Sequence, residues 1–203
     1  MSRLSLCAAV TTVAALCCGV SVAEGRGGPP PANLPAGECE GEWKEPEVAV
    51  GFGDVKERPY SGFRLRAMFG AAREYEGSFG ELFVSHRENA LRASFIFTRA
   101  PDERAAELRE ITAYPGNVRV LRACYSIRAL QRIQEVVNHE LLRRRLALRL
   151  RSHVEYTSIE VKLNQIEVGL RRYSEDDERK IVRRYGPAVR VFPEDVNIGP
   201  DRR

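Results

Sequence analysis

The clearest alternation of apolar and polar positions along the chain lies between Ile159 and Phe192. On both sides of Asn164-Gln165 every second residue is apolar, at Ile159, Val161, Leu163, Ile166, Val168 and Leu170. A period of two is typical of strands with one buried face, and Asn tolerates the positive φ of a tight turn. The pattern therefore predicts a β-hairpin.

A helix and a third strand are predicted directly after this hairpin. Ser174 and Asp177 have the spacing of a capping box, and acidic residues at 175–178 would stabilise the positive end of the helix dipole. Gly186-Pro187 predicts the end of the helix, and residues 188–192 then form a short strand. The whole stretch predicts the order strand, strand, helix, strand.

The same order is predicted upstream. Residues 91–98 alternate like a strand, Pro101 suits the first turn of a helix, and residues 114–117 would end that helix before a strand from Val118. Both predicted helices contain Asp-Glu-Arg, and both following strands begin Val-Arg-Val, at Val118 and Val189. The shared placement of these short motifs favours an internal repeat.

A further helix is predicted before each copy. Ser126 to Leu146 is the clearer one, with apolar residues every three or four positions at Ile127, Leu130, Ile133, Val137 and Leu141. Phe63 to Tyr75 is its shorter counterpart. We therefore predict an α+β fold of two tandem α-β-β-α-β repeats, over residues 60–125 and 126–192. Each repeat is expected to be a small antiparallel sheet with helices packed on one face.

Met1 to Ala23 has the pattern of a secretory signal peptide. One charge, Arg3, precedes an apolar run that ends in Ser21-Val22-Ala23, small residues of the kind that precede a signal-peptidase cut. A retained membrane anchor is the alternative, but the run is short for a bilayer span. We expect cleavage after Ala23 and a secreted or periplasmic protein with no stable membrane span.

Residues 24–59 are rich in Gly and Pro and show neither the helical nor the strand period. This composition predicts a flexible linker. Trp43 within it is either a local clamp that packs back onto the domain or a binding residue.

Removal of the leader leaves two of the five cysteines, Cys39 and Cys124. Two cysteines in an exported chain can form one disulfide, but the sequence does not show whether they lie close together. Neither has a second Cys or a His at the spacing of a zinc site, and we expect no metal or other cofactor.

The formal net charge is +4, and loss of Arg3 leaves 31 basic and 28 acidic residues, a net charge of +3. So small an excess predicts neither nucleic-acid binding nor a polybasic membrane anchor. The densest basic patch comprises Arg143, Arg144, Arg145, Arg149 and Arg151. These side chains either stabilise the C-terminal end of a helix in solvent or bind an acidic partner or anionic polymer.

The sequence contains no motif typical of catalysis. It lacks a Gly-x-Ser-x-Gly elbow, a phosphate-binding loop and a dinucleotide fingerprint. His139-Glu140 begins like the motif of a zinc protease, but Arg143 stands where the second His is needed. We therefore expect a protein that is not an enzyme.

Two motifs in the predicted repeats resemble a known family. The first is Tyr125-Ser126-Ile127-x-x-Leu130-x-x-Ile133, and the second is QIEVGL from Gln165 followed by YGPAVRV from Tyr185. Together they resemble the two-repeat pro-regions of secreted bacterial serine proteases of the α-lytic protease type, over residues 79–192. The resemblance implies a protein that inhibits its protease and assists its folding. It also implies that the C-terminal tail lies in the protease cleft.

No protease domain follows the last predicted strand, so we expect the protein to bind a protease in trans, as a separate chain. The first hypothesis is a non-catalytic exported protein that binds a secreted serine protease or another protein. Its tail over 193–203 would act as an extended peptide that includes Pro193, Glu194, Asp195 and Val196. A frayed terminus is the alternative for this tail. The second hypothesis is a structural or adhesive module of the cell envelope that binds anionic polymers through Arg143–Arg151.

Overall fold

The computed structural model describes residues 34–39, 43–57, 62–87, 89–143 and 148–194. The predicted leader, Met1 to Ala23, lies outside the described residues. Within the described ranges, no helix combines the length and the apolar character needed to cross a membrane.

A four-stranded sheet and two helices form the first half of the fold. In chain order these elements are β1 (Glu47–Val50), α1 (Leu65–Arg73), β2 (Phe79–Arg87), β3 (Ala90–Phe97), α2 (Pro101–Ile111) and β4 (Val118–Arg122). The strands lie in the order β1-β4-β3-β2. β2 and β1 are antiparallel to their neighbours, whereas β3 and β4 are parallel.

A three-stranded sheet and two further helices form the second half. These elements are α3 (Ile127–Val137), a π-helical turn (Asn138–Arg143), β5 (His153–Glu160), β6 (Gln165–Arg171), α4 (Glu175–Tyr185) and β7 (Val189–Pro193). The strands lie in the order β5-β6-β7. β5 and β6 are antiparallel, and β6 and β7 are parallel.

The α+β class is confirmed, but the prediction of two antiparallel sheets is wrong, because both sheets are mixed. In each half a helix separates the second and third strands of the predicted unit, α2 before β4 and α4 before β7. Such a crossover returns the chain to the end of the sheet where the preceding strand began, so the next strand lies parallel to it. Apolar periodicity cannot distinguish the two directions, because both share a period of two.

The order α-β-β-α-β and the pairing of its three strands are the same in the two halves. A shared order is what an internal repeat requires. The repeat itself stays a prediction.

Each sheet buries one face under its helices. The first core contains Phe95, Phe97, Val118 and Val120 from the sheet and Met68, Ala72, Ala105 and Leu108 from α1 and α2. The second contains Ile166, Val168 and Leu170 from the sheet and Leu130, Ile133, Val137, Ile181 and Tyr185 from α3 and α4. The predicted start of α3 is confirmed, because the Ser126 hydroxyl accepts a hydrogen bond from the Ala129 N–H at 3.2 Å. Ser126 is therefore the N-cap of this helix.

The two halves also touch across the opposite face of the first sheet. There Ile96, Leu121 and Ala123 form a small buried cluster, against which Val161 packs. Val161 lies between β5 and β6, so the hairpin of the second half covers part of the first sheet.

Over residues 43–57 the structure differs from the predicted flexible linker. Glu47–Val50 forms β1, which lies against β4. Further along, the Lys56 N–H donates to Asn117 Oδ1 at 2.9 Å, and Asn117 Nδ2 donates to the Lys56 carbonyl at 2.9 Å. A strand of four residues is too short to show a period, and its pairing depends on residues far away in sequence.

The predicted capping box of α4 is wrong. The Ser174 side chain makes no capping hydrogen bond. Asp177, which is fully buried, instead accepts hydrogen bonds from the main-chain N–H groups of Arg151 at 2.9 Å and Ser152 at 2.7 Å. These bonds tie the first turn of α4 to the start of β5, which begins at His153, before the predicted Ile159.

Candidate protein-binding groove beside strand β7

Strand β7 lies at the edge of the second sheet. Within the described residues no strand pairs with its outer side. The Ile166 N–H donates to the Ala188 carbonyl, and the Glu194 N–H donates to the Leu170 carbonyl. The main-chain groups of residues 188 and 194 therefore face β6. Because the direction of the main-chain groups alternates along a strand, Val191 and Pro193 direct theirs outward.

The corresponding edge of the first sheet is occupied. β4 and β7 both begin Val-Arg-Val and pair in parallel with β3 and β6 through the same register. On the outer side of β4, β1 pairs with Val120 and Arg122. The equivalent positions on β7 are Val191 and Pro193. The structure thus contains one edge with an added strand and one equivalent edge without it among the described residues.

A groove of about 710 Å³ runs beside β7. It is lined by Trp43, Glu45, Leu163, Gln165, Glu178, Val182, Gly186, Pro187, Val189, Arg190 and Val191. Val182, on the outer face of α4, is an apolar side chain that remains 36% exposed. Main-chain donors and acceptors at a strand edge, next to apolar side chains, are the features that bind an extended peptide.

Two contacts position β7 against the rest of the sheet. Gly186 ends α4 at a φ of 76°, a conformation that favours glycine, and its N–H donates to the Val182 carbonyl at 2.8 Å. Gln165 Nε2 then donates to the Pro187 carbonyl at 2.9 Å. The loop before β7 is therefore held by the first residue of β6.

Hydrogen bonding to Asp177 fixes the N-terminal end of α4. Burial acts to raise the pKa of Asp177, but the hydrogen bonds from Ser152, Lys180 and Arg151 outweigh it, so the pKa lies below its usual value. The residue is therefore a buried carboxylate with its charge compensated at neutral pH.

The opposite end of α4 is held by an ion pair with the π-helical turn. Arg184 Nε and one terminal nitrogen donate to the two oxygens of Glu140, each at 2.9 Å, and the Tyr185 hydroxyl donates to Glu140 Oε2 at 2.9 Å. The hydrogen bond from Arg184 lowers the pKa of Glu140. Burial, followed by the bond to Glu140, raises the pKa of Tyr185. Glu140, which belongs to the incomplete zinc-protease motif, thus holds the C-terminal end of α4 from the π-helical turn.

The N-terminal segment carries Trp43 to the wall of the groove. Cys39 and Cys124, whose bond the sequence left open, form a disulfide with a Cα–Cα distance of 5.0 Å. Beside it, the Glu38 N–H donates to the Cys124 carbonyl at 2.8 Å. Cys39 and Trp43 both pack against the second core. The disulfide therefore anchors the segment that contains Trp43.

The predicted arginine patch lies only partly within the described residues. Arg149 and Arg151 are exposed, and the Arg151 N–H belongs to the Asp177 network. Arg144, Arg145 and the side chain of Arg143 lie outside the described residues. Binding of an anionic polymer at this patch stays a prediction.

The predicted C-terminal peptide begins at the end of β7. Pro193 is the last residue of the strand, and the Glu194 N–H donates to the Leu170 carbonyl. Asp195 and Val196 lie outside the described residues. The two described residues of this set therefore adjoin the groove edge.

The three histidines lie on separate elements, His86 on β2, His139 in the π-helical turn and His153 on β5. Within the part of the chain that the structure describes, no group of three or more His, Cys, Asp or Glu side chains is placed to hold a metal ion.

The sequence predicts no binding site at Val182, and it leaves Trp43 open as either a local clamp or a binding residue. Ile181 and Val182 are adjacent apolar residues of α4, and two adjacent helical residues differ by about 100° in direction. This angle indicates that one of the two lies outside the core, and it is Val182. Nothing in the sequence places Trp43 beside β7, because that contact depends on the path of the disulfide-linked segment.

Comparison of the chain with models of known protein families and with curated proteins gave no match.

Proposed function

We propose that this chain is a non-catalytic exported protein that binds a protein partner, a secreted serine protease in the first instance. The partner would add an extended segment to the outer side of β7. The observation that carries the proposal is the edge of β7 itself, whose equivalent on β4 already holds an added strand within the same chain.

Pairing at this edge supplies both affinity and direction. The outward main-chain groups of Val191 would form the ladder, since Pro193 has no N–H and limits the ladder at its C-terminal end. Alternate side chains of the partner segment would then enter the groove. Val182, Leu163 and Trp43 line it, so apolar residues at alternate positions are the complementary chemistry.

The choice of a protease as partner comes from the sequence. The motifs around Tyr125 and over residues 165–191 resemble the pro-regions of secreted serine proteases. A protein of this type inhibits its protease or assists its folding in trans.

The proposal is tested by mixing the purified protein with a panel of secreted bacterial serine proteases. Residual protease activity, recovery of activity after refolding, and hydrogen exchange of residues 189–193 are measured. We expect one or more proteases to be inhibited or refolded, with slower exchange at the Val191 amide in the complex. Absence of binding, inhibition and refolding across the panel contradicts the proposal.

Matched valine variants locate the contact. Val182→Glu places a charge on the groove wall, whereas Val48→Glu places the same charge on β1, where Val48 is 57% exposed. We expect Val182→Glu to weaken binding about tenfold or more, because the carboxylate loses water without gaining a partner. Val48→Glu should bind like the parent.

Deletion of residues 195–203 distinguishes binding through the groove from binding through the C-terminal tail. Binding that survives the deletion but not Val182→Glu supports the groove. Binding that is lost with the tail and unaffected by Val182→Glu assigns the contact to the tail and contradicts pairing at β7.

A further inference from the structure

A second charged surface lies on the face of the first sheet opposite its helices. Register pairs place Arg87 opposite Ala90 and Arg119 opposite Ser94, so Arg87, Arg92 and Arg119 share one face of β2, β3 and β4. They form a diagonal row, in which each arginine is offset by about two residues from the next. We call this row, with Phe52 and Phe83, the arginine face.

Two aromatic rings lie between the guanidinium groups. The Arg119 Cζ lies 4.9 Å from the centroid of Phe52 and 5.6 Å from that of Phe83. The Arg92 Cζ lies 5.6 Å from the Phe52 centroid. Arg119 Nε also donates to the Ser94 hydroxyl at 2.7 Å. The rings and the hydroxyl hold these side chains against the sheet, so their orientation is set before any ligand arrives.

The arginines of this face repel one another. Burial lowers the pKa of Arg119, and the charges of Arg87 and Arg92 lower it further. No carboxylate of the described residues forms an ion pair with Arg87 or Arg119. One acidic residue on this face, Glu81, lies opposite Ile96, and its carboxylate accepts a hydrogen bond from the Leu82 N–H. An added anion would therefore weaken the repulsion between these arginines.

We infer that the arginine face binds an extended acidic peptide segment with carboxylates at alternate positions. Diagonal neighbours on adjacent strands lie about 7–8 Å apart. Alternate side chains of an extended peptide lie about 7 Å apart along one side, so their carboxylates match the row. The side chains between them point away from the sheet. Planar guanidinium groups suit carboxylates because they form paired hydrogen bonds.

The test uses the purified protein and a fluorescein-labelled ten-residue peptide of alternating Glu and Val. Fluorescence anisotropy measures its affinity at increasing salt, with a Lys-Val peptide as the opposite-charge control. We expect binding of the acidic peptide alone, weakening as salt screens the charges. Absence of binding at low salt overturns the inference.

Two triple variants with the same net charge distinguish binding at the arginine face from non-specific electrostatic attraction to the whole protein. One carries Arg87→Gln, Arg92→Gln and Arg119→Gln, and the other carries Arg66→Gln, Arg132→Gln and Arg183→Gln on exposed helix positions. Loss of three charge contacts predicts an affinity about tenfold or more lower for the first triple and little change for the second. Equal losses in the two triples overturn the site.

Single variants and competitors complete the test. Arg87 is exposed, so Arg87→Gln should fold normally, lower the affinity several-fold and be partly rescued as Arg87→Lys. A single-stranded oligonucleotide and polyphosphate are added as competitors, at concentrations expressed per negative charge. If either displaces the peptide at a concentration equal to or lower than that of the peptide, the inference that the ligand is an acidic peptide is overturned. Val182→Glu in the β7 groove should leave binding of the acidic peptide unchanged. The test of the arginine face is therefore independent of the proposed function.

Discussion

The side-chain amide of Asn164 forms two hydrogen bonds with the main chain of Tyr125. The Tyr125 N–H donates to Asn164 Oδ1 at 2.8 Å, and Asn164 Nδ2 donates to the Tyr125 carbonyl at 2.7 Å. Both residues are buried, with Asn164 fully so. Tyr125 lies where the chain passes from β4 to α3, and Asn164 ends the β5–β6 turn. The amide therefore satisfies the buried main chain at the crossing between the halves.

Replacing Asn164 by glycine should destabilise the protein by about 2–4 kcal/mol, because both Tyr125 groups lose their partner while buried. Glycine accommodates the φ of 54°, so the loss reports the hydrogen bonds rather than backbone strain. Denaturant unfolding measures it. The matched control is Asn89→Gly, at an exposed turn position with a φ of 61°. Equal effects at the two sites would contradict the assignment.

Asp177→Asn should lower the free energy of unfolding by about 2–4 kcal/mol at pH 7, since a hydrogen-bonded buried carboxylate is lost. The folded pKa of Asp177 lies below its unfolded value of about 3.9. Its contribution is therefore complete above that value and declines as pH falls through it towards the folded pKa. Urea unfolding between pH 7 and pH 3 should show the difference between parent and variant shrinking at the acidic end.

Asp176→Asn, a change at an exposed position of the same helical turn, is the control for that measurement. A difference between parent and Asp177→Asn that stays constant down to pH 3 would rule out the carboxylate as its source.

Glu140 and Arg184 should show strong coupling in a double-mutant cycle. Their side chains are 18% and 15% exposed, and the pair is bidentate. We expect Glu140→Gln and Arg184→Gln to be non-additive, with an interaction energy of about 1–3 kcal/mol. Thermal or urea unfolding of the four proteins measures it. The exposed pair Arg179 and Glu175 provides the comparison cycle, for which additivity is expected.

Loss of the disulfide should lower stability and release Trp43. The bond closes a loop with a sequence separation of 85, and such bonds contribute about 2–4 kcal/mol. The double variant Cys39→Ala, Cys124→Ala should unfold at lower denaturant. Trp43 is the single tryptophan, so its emission should shift to longer wavelength as the ring gains water. Unchanged emission in the folded variant would show that the ring packs without the bond.

The sequence by itself determined most of the elements that form, with β1 as the exception. α2 begins at the predicted Pro101, α3 has its predicted Ser126 cap, and β7 follows Gly186-Pro187. These features are local, because helical and strand periods, caps and breakers act within a few residues. The existence of the hairpin, of the following helix and of the returning strand was accordingly predictable.

The tertiary structure alone decided how the elements combine. The pairing of β1 with β4, the parallel direction of β7 and the reciprocal bonds of Asn164 join residues far apart in sequence. Asp177 shows the same limit: its spacing from Ser174 predicted a cap, but two main-chain donors at Arg151 and Ser152 satisfy it instead. Hydrogen bonds between distant segments leave no period in the chain. The outer edge of β7, on which the proposed function rests, is a product of such long-range pairing.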